Sequence, residues 1–337
     1  MSHRCLRCER RWHKEKYIKM AKKTTSNLPK YSIVAPVYNE IGGVQEFYKQ
    51  VFLVMETLHE PWELVLVDDG STDGSTDVIR EIAEKDAHVR PVIFARNFGH
   101  QIAVTAGLDY TRGEAAIIID ADLQDPPEVM LELIKKWKEG FEVVYAVRRT
   151  REGESWFKLF TASLFYRLIY RITDVNIPLD TGDFRLLDRK VVDVMGQMRE
   201  RHRFLRGMVA WVGFRQVGVE YDRKERFSGK TKYPFSKMLK LAFNAITSFS
   251  YFPLQMATYM GFISAGISIL AIPVVTVLRL SNREALLGQA TTLIAVLFLG
   301  GVQLITLGIL GEYIGRIYDE LKGRPLYIVS EAPKNNK

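Results

Sequence analysis

The most chemically pointed stretch of the chain is Asp120-Ala-Asp122-Leu-Gln124, which follows the apolar run Ala115-Ala-Ile-Ile-Ile119. Alternate side chains of an extended chain share a face, so Asp120 and Asp122 project together, with Gln124 one step further along. Two carboxylates and an amide oxygen suit a hard divalent cation, Mg²⁺ or Mn²⁺, whose shell is completed by phosphate oxygens. The competing reading is a solvated acidic turn ahead of Pro126-Pro127. A second cluster is Val67-Asp68-Asp69-Gly70-Ser71-Thr72-Asp73-Gly74-Ser75. Turn and helix-cap chemistry accounts for Asp73 to Ser75. It accounts less well for Asp68 and Asp69, adjacent carboxylates that repel unless a donor or cation faces them. Both suit hydrogen bonds from a nucleobase or ribose. In the third cluster, Val34-Ala-Pro36-Val-Tyr38-Asn-Glu40, Pro36 is expected to stop a strand ladder. Tyr38 offers a stacking face and Glu40 an acceptor.

Each cluster ends a short apolar run. Strands are expected over 31–35, 62–67, 91–95, 115–119 and 141–147, and helices over 44–58, 75–85, 102–110 and 127–138. Continuous apolar strands alternating with helices predict an α/β fold with a mostly parallel sheet covered on both faces. Ligands of such sheets collect beyond the carboxyl ends of the strands, where these clusters lie. The absence of G-x-G-x-x-G after the first strand excludes a nicotinamide dehydrogenase.

Beyond Arg151 the pattern changes. Aromatic and aliphatic residues between Phe157 and Ile172 recur at helical spacing among basic ones, which fits either a core-facing helix or one at a membrane surface. The stretch Tyr233 to Phe252 reads as an interfacial helix. Leu254–Leu278 and Gln289–Gly311 then contain no charged residue. Each is longer than the roughly 20 residues a helix needs to cross a bilayer, and Pro273, Gly261 and Gly266 are tolerated in such spans. A short connection makes them a hairpin. Arg and Lys before the first span and after the second put both chain ends, and the catalytic region, on the cytoplasmic side of the cell membrane. Gly261, Gly266, Gly300, Gly301 and Gly308 would permit close packing in a homo-oligomer.

The formal charge of +8 resides in residues 1–30, where ten Lys or Arg face two Glu. The rest is neutral, so no nucleic-acid partner is implied. Cys5 and Cys8 are the only cysteines. They imply no disulfide framework, and the leader is expected to be disordered rather than a metal finger. The expected organisation is a leader (1–29), a catalytic domain (30–232), an interfacial helix (233–253), the hairpin (254–311) and a cytoplasmic tail (312–337).

The ordered motifs P-V-Y-N-E, D-D-G-S-T-D and D-A-D-L-Q-D-P-P resemble family-two glycosyltransferases of the GT-A fold, a Rossmann-like architecture. Within them the chain is similar to the polyprenyl-phosphate sugar synthases, over about residues 30 to 325. The resemblance implies that Pro36, Tyr38, Glu40 and Asp69 surround base and ribose, and that Asp120, Asp122 and Gln124 hold metal and donor diphosphate. It matches Thr181-Gly-Asp183-Phe-Arg185 to an acceptor-side segment, with Asp183 as base, and Arg223 to Tyr233 to a basic loop. Arg223, Arg226, Lys230 and Lys232 then serve phosphates, and headgroup attraction is a compatible second role. The implied reaction is inverting transfer of a sugar from a nucleotide donor to a polyprenyl phosphate lipid. A phosphate monoester has a second pKa near roughly 6, so a strong base is hardly needed, and Asp183 is expected to orient the acceptor, directly or through Arg185. Phe-Gly-His-Gln after the third strand and Gly-Asp-Phe-Arg favour UDP-glucose, with GDP-mannose and UDP-aminoarabinose donors as alternatives. A processive synthase would add Gln-x-x-Arg-Trp and more spans. A non-catalytic membrane scaffold is the alternative of a different class.

Overall fold

The computed structural model describes residues 28–149, 181–223, 251–280 and 289–333. The leader, the helix expected near 157–172 and the basic loop beyond Arg223 lie outside these residues, as does all but the end of the interfacial stretch. From the amino end the described chain forms β1 (Tyr31–Val37), α1 (Val44–Glu56), β2 (Trp62–Asp68), α2 (Ser75–Lys85) and β3 (Val89–Phe94). Then come α3 (His100–Tyr110), β4 (Ala115–Ile118), α4 (Val129–Lys138) and β5 (Val143–Arg148). The second half holds β6 (Thr181–Asp188), α5 (Arg189–Gln197), α6 (Leu205–Trp211) and β7 (Gln216–Tyr221). The long helices α7 (Phe252–Leu280) and α8 (Gln289–Leu321) and the short strand β8 (Val329–Glu331) complete it.

The strands form one sheet in the order β7-β5-β6-β4-β1-β2-β3-β8. Its centre, β4-β1-β2-β3, is parallel, while β6 runs antiparallel between β4 and β5. Alternation along the strands divides the core. Tyr31, Ile33, Ala35 and Val37 pack under α1, α2 and α4. Val34, Val65 and Val67 pack under α3, α5 and α6. Helix α3 lies unusually close to the sheet because it carries Gly107, where a Cβ would fall 2.2 Å from Val34 Cγ1. Any larger residue would lift α3, whose first residues belong to the site below.

Pro36 does not stop the ladder where expected. Strand β1 runs on to Val37, still in register with β2. The Val34 carbonyl accepts from Ile119 on the β4 side and the Val37 carbonyl from Asp69 on the β2 side. Backbone polarity alternates, so the nitrogen that lacks a hydrogen at Pro36 faces β4, where pairing has already ended.

The sheet edge away from the site is held by a buried ionic cluster. Glu63, only 2% exposed, accepts from Ser32 Oγ at 2.6 Å, Arg90 Nη1 at 3.0 Å and Arg112 N at 2.7 Å. Glu63→Ala would leave the Arg90 guanidinium buried without its carboxylate, at a cost of about 3–5 kcal/mol. A thermal midpoint in detergent unchanged from the parent would refute that.

Helices α7 and α8 contain windows of 23 and 27 residues long and apolar enough to cross a membrane, with mean hydropathies of 1.7 and 1.8. A core helix of a soluble protein would be covered, yet Phe262 is 73% exposed and Leu304 71%. The tail departs from expectation. Helix α8 continues ten residues past Gly311, and the chain then returns to pair β8 antiparallel with the β3 edge. Arg80 bonds Glu331, and the Tyr327 ring stacks on Phe94 at 5.3 Å. The chain that leaves α8 is therefore fastened to the sheet.

Candidate active site

The site is built by the carboxyl ends of β1, β2 and β4 and by β6. The antiparallel register pairs Ile118 with Arg185, so two residues further along β4 and two back along β6 bring Asp120 beside Asp183. The first residues of α3 close the gap. His100 Nε2 lies 3.1 Å from Asp183 Oδ2 and 3.8 Å from Asp120 Oδ1. Gln101 Nε2 donates to the same Asp183 oxygen at 3.0 Å, and Arg206 Nε to Asp183 Oδ1 at 2.8 Å. Gln101 also accepts from the Leu205 amide at 3.0 Å, which fixes the start of α6 and with it Arg206.

These contacts set the charge states. Burial alone would raise the Asp183 carboxyl, but Arg206, His100 and Arg185 hold it well below the ordinary carboxylate range. Burial disfavours the His100 imidazolium, yet the Asp120 and Asp183 carboxylates outweigh it and raise its pKa to about 9. Burial also raises Asp120, to about 6, against the pull of His100 and with help from Asp183, Asp125 and Asp122. Its side chain keeps 32% exposure toward the cleft, so water tempers that effect. Arg185, buried in β6, donates to the Gly182 carbonyl at 2.9 Å, and its burial lowers its pKa to about 10 despite Asp183.

Asp120 Oδ1 is buried and has no hydrogen-bond partner. A buried carboxylate oxygen without a donor is costly, and a bound cation is a direct physical remedy. Asp122 Oδ1 accepts from the Gln124 amide at 3.1 Å across a turn in which Leu123 adopts a φ of 59°. Among the described residues no group of three or more His, Cys, Asp or Glu is arranged for a metal. By residue type alone, Asp120, Asp122 and Gln124 are oxygen donors of the kind that suits a hard cation sharing its shell with phosphate.

The other predicted residues lie around this centre. Pro36 is buried in β1, and Tyr38, just beyond it, is 40% exposed. The Glu40 amide donates to Ser75 Oγ at 3.0 Å, and Asn39 exchanges hydrogen bonds with Ser71 and Thr72, zipping the second and third clusters together. Asp68 is fully buried and accepts from the Ser71 amide and the Thr76 hydroxyl. Asp69 accepts from the Phe98 and Gly99 amides at 2.6 and 2.9 Å. Burial raises its pKa against those two donors. Its carboxylate thus anchors the loop that delivers His100. The turn between them needs Gly70, at φ +69°, because a Cβ there would meet the Arg96 backbone at 2.5 Å.

Asp125, one residue past Gln124, accepts from the Tyr221 hydroxyl and lies 3.2 Å from Arg223 Nε. The basic segment therefore leaves the sheet beside the acidic triplet. Arg226, Lys230 and Lys232 fall outside the described residues. Sequence reasoning picked out Phe-Gly-His-Gln only as a clue to the donor and did not assign His100, Gln101, Arg206 or Asp125. The available signal was a polar pair, His100-Gln101, opening a helix one short loop after an apolar strand.

The Glycosyl transferase family 2 pattern matches residues 32–196, the span that carries all of these elements up to α5. The glycosyltransferase YkcC of Bacillus subtilis is 52% identical over 90% of this chain and 94% of its own length. The bactoprenol glucosyl transferase of Shigella phage SfII is 43% identical over 91% of this chain and 99% of its own. Among solved structures, a mannosyltransferase of Pyrobaculum calidifontis aligns over 87% of this chain and 88% of its own, at 17% identity and a TM-score of 0.43. With half its residues shared across nine-tenths of its length, the chain belongs to glycosyltransferase family 2 and has a GT-A-type fold.

Proposed function

We propose that this protein transfers glucose from UDP-glucose to the phosphate of a membrane polyprenyl phosphate, with inversion at the anomeric carbon. The observation that carries the reading is the pairing of the donorless Asp120 carboxylate with a fully hydrogen-bonded Asp183 at the carboxyl edge of the sheet. One carboxylate is left open for a cation, and its neighbour is locked in place for an anionic acceptor's surroundings. The glucosyl assignment is supported by the activity named for the relatives 43% identical to this chain.

Asp120, Asp122 and Gln124 would hold Mg²⁺ or Mn²⁺, which supplies charge neutralisation for the departing nucleoside diphosphate. Tyr38 and Glu40 face the donor base and ribose. Asp69 shapes that wall through the Phe98–Gly99 loop. Arg185 and Arg223, with Arg226, Lys230 and Lys232, attract the acceptor phosphate and the leaving diphosphate. Asp183, with three side-chain donors on its two oxygens, positions Arg206 and His100 around the acceptor rather than taking its proton.

Helices α7 and α8 span the cell membrane, with the catalytic domain on the cytoplasmic side where nucleotide sugars are available. The glycines of the hairpin have open space where a Cβ would be, which suits close approach by another copy of the chain. The deciding assay offers purified protein a short polyprenyl phosphate, Mg²⁺ and a panel of labelled nucleotide sugars. An organic-soluble product from UDP-glucose, lost with EDTA, is expected. Product only from another donor would overturn the glucose assignment, and no lipid product from any donor would overturn the enzyme reading.

A further inference from the structure

Asp125 follows the acidic triplet, is only 2% exposed, and holds neither cation nor phosphate in the proposed reaction. The two residues after it are prolines, which have no amide hydrogen to offer a capping carboxylate. Its partners come instead from the opposite edge of the sheet. Tyr221, the last residue of β7, donates its hydroxyl to Asp125 Oδ1 at 2.5 Å, and Arg223 Nε lies 3.2 Å from the same oxygen. In the sheet β7 stands three positions from β4, and neighbouring strands are roughly 4.8 Å apart. The turn after β4 must therefore lean across the ends of β6 and β5 for its carboxylate to meet Tyr221. The Tyr221 ring stands edge-on to Phe184 at 5.9 Å, and Phe184 lies between Asp183 and Arg185 in β6.

We propose that Asp125 is a positioning residue for the transfer, a latch that fixes the acidic turn against the acceptor-side strand and the root of the basic segment. The inference rests on the reading of Asp120, Asp122 and Gln124 as the cation's ligands and of the basic segment as a phosphate clamp. These groups belong to separate stretches of chain. The acidic turn has no regular structure of its own and includes Leu123 at a φ of 59°, while β7 ends two residues before Arg223. With Tyr221 and Arg223 on one oxygen of Asp125, the sites of the departing diphosphate and the attacking phosphate keep a fixed separation. Transfer depends on that separation, since about 1 Å of misplacement can cost roughly a hundredfold in rate.

Two substitutions divide the latch. Asp125→Asn keeps an oxygen for the Tyr221 hydroxyl and removes the charge opposite Arg223. Tyr221→Phe keeps the ring on Phe184 and removes the hydroxyl, and it carries the test if the other variant misfolds. Each is expected to lower kcat for lipid-linked product about tenfold, while Mg²⁺–UDP binding, followed by calorimetry on the full chain in detergent, stays within about twofold. The double variant should fall well short of the product of the two effects, because both open one contact. Hydrogen exchange reads the latch without any activity, and both variants should speed it in residues 120–125 and 216–223 together. Parental kcat in both variants, or faster exchange in only one of the two segments, would overturn the proposal. So would Mg²⁺–UDP binding weakened more than about tenfold in Asp125→Asn, which marks Asp125 as a ligand of the cation. A parent protein that forms no lipid product refutes the transfer reading instead, and the exchange data still decide whether the latch exists.

Discussion

Asp183→Asn is expected to lower sugar transfer by about a hundredfold, and by the same factor at pH 6 and pH 8.5. A general base would behave otherwise. At pH 8.5 the acceptor phosphate is already a dianion, so loss of a base would be largely forgiven there. The structure gives the reason to expect no forgiveness. Asp183 receives His100 and Gln101 on one oxygen and Arg206 on the other. These donors hold its carboxyl well below the ordinary range, where it is a weak base. An amide in its place turns a donor toward either Arg206 or the His100–Gln101 pair, so one of the two loses its anchor. Rate assays at the two pH values decide the matter. Recovery of most of the activity at pH 8.5 would restore the base role.

The second large effect concerns Asp120. Asp120→Ala should reduce transfer by about a thousandfold, the scale of losing a metal's charge stabilisation in the transition state. The same substitution should not destabilise the fold. Asp120 Oδ1 makes no hydrogen bond, and its burial raises its pKa to about 6, so at neutral pH the native chain without a cation carries a carboxylate it solvates poorly. With EDTA present the variant should melt at or above the parent temperature. With Mg²⁺ and UDP-glucose the order should reverse, because only the parent gains stability from binding. A variant that melts well below the parent in EDTA would mean that Asp120 is a structural residue and the cation reading is wrong.

Both predictions concern carboxylates that are easy to find in the sequence, yet the sequence made only one of them chemically legible. Asp120 and Asp122 follow the buried apolar run Ala115–Ile119, which places them just past the carboxyl end of β4, although in a turn rather than on the extended chain that strand alternation suggests. Likewise β1 to β5 and α1 to α4 follow from local periodicity, which is dictated by neighbours a few residues away. Asp183 is different. Its partners His100 and Gln101 lie 83 and 82 residues away and reach it because β6 inserts antiparallel beside β4. No periodic pattern encodes that insertion. The ladder continuing past Pro36 has the same origin, since it depends on which neighbour each backbone group faces. The return of the tail as β8 is also nonlocal, a three-residue strand too short to announce itself.

The sequence by itself determined the α/β core, the placement of the acidic clusters at strand ends and the two long apolar helices. These are set by side-chain polarity at short range. The tertiary structure alone decided what those carboxylates can do. It surrounded Asp183 with donors, left Asp120 Oδ1 with none, and bound Asp69 to the loop that delivers His100. Identical residue types thereby acquire opposite chemistry, because the free energy of a buried charge depends on the donors and charges within a few ångströms, and folding brings those together from distant parts of the chain.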